Sequence, residues 1–167
     1  MIPSIQGVLD RDLRALIRGI EAYPDDASVW REIPGITNSG GTLALHLAGN
    51  LRHFLGSVLG GTSYVRDREA EFARRGVTRA ELVAEVERAR KDIAAGLGTL
   101  SPKELDRPYA QPIAGVTVTL SDTLVHLASH LAYHLGQVDY HRRIATGQNR
   151  GVGAIAASEL PSARPAG

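Results

Sequence analysis

Leu124, Leu127, Leu131, Leu135 and Val138 recur every three or four positions, the repeat of one face of an α-helix. At 100° per residue they occupy one arc, and His126, His130, His134, Gln137 and His141 form a narrow stripe along its border, within about 40° of His130. The stretch HLASHLAYHLGQVDYH therefore sets four of the chain's six histidines beside an apolar face rather than opposite it. Histidines so placed look inward or line a groove. Burying several imidazoles without partners costs a few kcal/mol per group, so they need hydrogen bonds, water or a metal ion.

A second helix has the same character. From about Thr42, LALHLAGNLRHFLGSVL is apolar over a broad arc until Gly60 and Gly61, and it carries His46, Asn50 and His53 on one face. Two polar stripes on two largely buried helices must satisfy each other or something held between them.

The remaining segments fit a helical bundle. Leu9, Leu13, Leu16, Ile17 and Ile20 predict a first helix over about 6–22, stopped by Pro24. Thr78 and Glu81 have capping-box spacing and open a helix with Leu82, Val86, Ile93 and Leu97 on its buried stripe, ending near Gly98. Ser121 suits the N-cap of the last helix, which runs to about Thr146. RDREAEFARRG reads as a short, solvated charged helix anchored by Phe72 and closed by Gly76. Turn formers surround Trp30 in one long loop, where it is expected to pack, as is Tyr133. VTVT after Gly115 predicts a short hairpin strand or an extended linker. The expected fold is all-α, a four-helix bundle with irregular crossover connections over 1–149. The tail over 150–167 is rich in Gly, Ala, Ser and Pro and is expected as a loose extension or a segment docking on a neighbour.

Composition narrows the chemistry. Nineteen Lys and Arg nearly balance eighteen Asp and Glu, and no basic run occurs, which argues against nucleic acid. No apolar run nears the ~20 residues of a membrane span and no leader pattern opens the chain, so the cytoplasm is the expected compartment. With no cysteine, any metal must be held by His, carboxylate or water. Neither His-bearing helix contains Glu, which removes the Glu-x-x-His pairs of di-iron bundles. HExxH and GxSxG are both missing, against a zinc protease and a serine hydrolase.

What remains is an HxxxH pair, two imidazoles one turn apart that can reach one ion at ~2.0–2.1 Å. The spacing leaves His126 with His130, or His130 with His134, and either His46 or His53 as third ligand.

HLAGN at His46 to Asn50, RDREAEF at Arg66 to Phe72 and HLAYHLGQVDY at His130 to Tyr140 resemble, in order and spacing, the DinB/YfiT-like metal-dependent superfamily. The resemblance implies a four-helix bundle holding one divalent ion, nickel or zinc, with His46, His130 and His134 as ligands. It places His126 and His141 beside the site without touching the ion, and His53 on a second face. Asp67 or Glu71 would stand near the site entrance. Characterised relatives imply a thiol-dependent transferase or isomerase in which the ion activates a low-molecular-weight thiol toward a small-molecule substrate. His126 and Gln137 would then move protons or orient substrate, and Asn50 would bind the cosubstrate. Two other functions remain open: a hydrolase using metal-activated water, or a metal-stabilised helical module without catalysis. A homodimer is the expected assembly.

Overall fold

Five α-helices carry the fold in the computed structural model of the protein, which describes residues 1–166. Helix α1 (Ile2–Glu21) starts before the expected residue 6 because Pro3 suits a first turn, where its missing N–H has no helical acceptor to lose. Leu9, Leu13, Leu16 and Ile20 along it are fully buried, each worth roughly 1.5–3 kcal/mol against exposure.

Helix α2 (Gly40–Leu51) is capped by Ser39, whose Oγ accepts from the Thr42 N–H at 3.2 Å. Its course continues as a π-helical stretch, Arg52–Leu59, and stops at Gly60 and Gly61 as the pattern predicts. Here the backbone of the π-helical stretch meets that of α4 (Arg79–Gly98), and Gly96 permits it: a Cβ there would collide with the Leu55 carbonyl oxygen. Helix α4 opens on the expected capping box of Thr78 and Glu81.

Helix α5 (Leu120–Thr146) is capped by Thr119 and not by Ser121. Thr119 Oγ1 accepts from the Asp122 N–H at 3.1 Å. Extended pairing upstream decides between the two hydroxyls, because Tyr109 N–H donates to Val118 and Leu120 N–H to Arg107. That pairing is all that VTVT contributes: Ile113 bridges Val116 across a turn at Ala114, and no strand forms among the described residues.

Helices α1 and α2 lie diagonally, each between α4 and α5, around one core. The short α3 (Arg68–Ala73) lies on α2, and here the structure corrects the expectation. Its buried residue is Glu71, only 6% exposed, while Phe72 is half-buried. No helix among the described residues is long and apolar enough to cross a membrane. The described part of the tail returns along α1, where Arg18 donates to the Val152 carbonyl at 2.9 Å and to Glu159 at 3.0 Å.

Candidate metal centre

Alternating Leu and Ala around the two His-bearing stretches press α2 and α5 together, so His46 from one helix meets His130 and His134 from the other. Each offers a nitrogen, and these nitrogens all lie within 4.8 Å of one another. The three rings stand nearly perpendicular, at 81°, 89° and 87° in pairs. His46 Nε2 and His130 Nε2 face each other at 3.3 Å. Two nitrogens bound at ~2.0–2.1 Å to one tetrahedral ion stand about 3.3 Å apart, so that separation fits a shared ion.

The ring edges turned away from the cluster are held by hydrogen bonds. His46 Nδ1–H donates to Glu71 Oε2 at 3.0 Å. Arg66 donates to the same carboxylate through Nε at 2.7 Å and through a terminal nitrogen at 2.8 Å. Burial opposes ionisation of Glu71, but the Arg66 and His46 contacts outweigh it and hold its carboxyl below the ordinary value. An ionised carboxylate only accepts, so His46 carries a proton on Nδ1 and turns Nε2 toward the cluster. His134 Nδ1–H likewise donates to Gln137 Oε1 at 2.6 Å, which frees its Nε2.

His130 is the exception. Its Nδ1 is buried with no partner among the described residues, and its Nε2 meets only the Nε2 of His46. Burial, then the neighbouring His134 and His46, pushes its pKa down to about 4, and burial lowers that of His134 as well. Both rings are neutral near pH 7, as metal ligation requires. Three converging imidazoles, two of them backed by acceptors, are a donor set that can hold a divalent ion.

Gly49 makes the Glu71 contact possible, because a Cβ at that position would collide with Glu71 Oε1. The resemblance brought Glu71 near the site entrance; the structure puts it behind His46 as its hydrogen-bond partner, while Asp67 caps α3. Arg66 and Gly49 were not singled out from the sequence. An isolated glycine inside a buried apolar helix is a sign of close backbone approach, and it was the available signal.

The cluster opens into a cleft of about 480 Å³ whose walls include Asn50, Phe54, Phe72 and Ile113. Asn50 is 8% exposed and its Oδ1 has no partner among the described residues. His126 is exposed and stacks beside His130, ring centres 6.2 Å apart. His53 lies outside the cluster, its Nε2–H donating to Gln111 Oε1 at 3.0 Å. His141 is two turns beyond His134 and leaves the groove altogether: it is 1% exposed, bonded to the Tyr23 hydroxyl at 2.7 Å and the Arg31 carbonyl at 2.9 Å.

No curated protein matches the chain. The family model of the DinB superfamily matches residues 9–138, a span that contains all three clustered histidines, Glu71 and Gln137, and the chain belongs to that superfamily.

Proposed function

We propose that the protein is a metal-dependent enzyme that activates a low-molecular-weight thiol for transfer to an electrophilic small molecule. The observation that carries this reading is the convergence of His46, His130 and His134 on an open cleft, with Glu71 and Gln137 behind two of them. Zinc and nickel both suit imidazole donors. A divalent ion held there supplies Lewis acidity that brings the pKa of a bound thiol toward neutral pH.

The chain's own residues do the rest. Glu71 and Gln137 fix the tautomers of His46 and His134, so that no ring must reorient during turnover. Phe54, Phe72 and Ile113 give the cleft an apolar wall that limits water around the sulfur. His126, exposed beside His130, takes the thiol proton and passes it to solvent. The sulfur lone pair then forms the new S–C bond as the electrophile's leaving group departs with its bonding electrons.

Metal analysis of protein purified without a nickel column, for wild type and His134→Ala, tests the centre. The expected result is near-stoichiometric metal in wild type and loss in the variant. Thiol and electrophile pairs assayed with and without chelator then test the chemistry. Metal-free wild type would overturn the reading, and turnover indifferent to chelator would remove the ion from catalysis.

A further inference from the structure

We propose that Arg68 and Asn50 form a recognition subsite beside the three histidines, which selects thiols carrying both an acid group and a nearby N–H or O–H donor. The proposal rests on the metal-dependent reading above and names the class of cosubstrate for that site.

Two independent observations carry it. The first is charge. Both charged side chains other than histidine that line the cleft are arginines, Arg66 and Arg68, and no carboxylate lines it. Arg66 is already answered by Glu71 through two hydrogen bonds. Arg68 has no acidic partner among the described residues. Its guanidinium stands 4.9 Å from the centre of the Phe72 ring, and that ring stands 4.9 Å from His46. An uncompensated cation is thus one aromatic ring away from the histidine cluster, where it can take a carboxylate in charge-assisted hydrogen bonds.

The second is Asn50. It follows His46 by one helical turn, lines the same cleft, and leaves a buried Oδ1 without a donor. Buried acceptors are almost always partnered, so a vacant one in a cleft wall marks where a ligand's donor sits. One turn of helix is about 5.4 Å. A sulfur at the histidines and a donor at Asn50 are therefore separated by only a few bonds, as in an N-acylated amino thiol whose acid group reaches Arg68.

Three simple thiols separate the two contacts. N-acetylcysteine has the amide N–H and the carboxylate, N-acetylcysteamine lacks the carboxylate, and 3-mercaptopropionate lacks the amide. Each is titrated into cobalt-loaded protein and followed by visible absorption, with affinities corrected for the thiol's own pKa. Wild type is expected to bind N-acetylcysteine at least tenfold more tightly than either of the others. Arg68→Ala should erase the advantage over N-acetylcysteamine, and Arg68→Lys should restore part of it. Asn50→Leu should erase the advantage over 3-mercaptopropionate, with Asn50→Ser as a second variant if the leucine disturbs packing.

Cobalt uptake is measured first in every protein. Uptake without discrimination among the three thiols, or discrimination that survives Arg68→Ala, overturns the subsite and leaves the metal centre standing. Failure of wild type to take up cobalt overturns both.

Discussion

His46 Nδ1 and Glu71 Oε2 meet at 3.0 Å across twenty-five residues of chain, and this bond decides which nitrogen of His46 faces the cleft. Outer partners of this kind commonly change metal affinity by about 10–100-fold when removed. Glu71→Gln, which keeps an acceptor but loses the charge, should weaken metal binding toward the lower end of that range. Glu71→Ala should reach the upper end, read by competition against a chelator of known affinity.

Gly49→Ala tests the same contact from the other side. Alanine would raise local helix propensity by up to ~1 kcal/mol, yet its Cβ would collide with Glu71 Oε1. Metal affinity should fall about as far as in Glu71→Ala. Chelator competition on the two variants together decides this, since unchanged affinity in Gly49→Ala would mean that the carboxylate is not held by that fit.

His141 predicts a pH dependence remote from the metal centre. Burial lowers its pKa, reinforced by the charge of Arg31 and opposed by the bond to the Arg31 carbonyl. The fold therefore holds the neutral ring, and the unfolded chain binds the proton more readily. Stability from this group is fully present above the ordinary value of about 6.5 and is lost as pH falls from there through the lowered folded value. Urea midpoints of wild type should drop over that interval more steeply than those of His141→Gln, both measured in chelator.

Capping offers a test of where α5 begins. Thr119→Ala removes the side chain that accepts from Asp122 N–H and should cost about 1 kcal/mol. Ser121→Ala lies inside the first turn and should cost a few tenths of that, by the same principle. Denaturant melts of the two variants give the comparison, and equal losses would return Ser121 to the cap.

Much of the architecture is legible in the sequence. Leu82, Val86, Ile93 and Leu97 recur at helical spacing and are buried on α4, because period alone decides which face an amphipathic helix hides. The Thr78 and Glu81 box was equally plain, since its two hydrogen bonds lie within one turn of chain. Spacing could not choose among the histidines. His126, His130, His134 and His141 share one stripe on a helical wheel, but a wheel discards position along the axis. His141 lies about 10.5 Å beyond His134 at 1.5 Å per residue, enough to bring it to Tyr23 and Arg31 rather than to His46.

By itself, the sequence determined a cysteine-free helical bundle with imidazoles beside its core, because composition and periodicity are local properties of the chain. Tertiary structure alone decided that Glu71 stands behind His46. Nothing in RDREAEF distinguishes the acid that turns inward from the one that faces water. That choice follows from the seat of α3 on α2 over Gly49, a contact between residues far apart in sequence and close only once the bundle has packed.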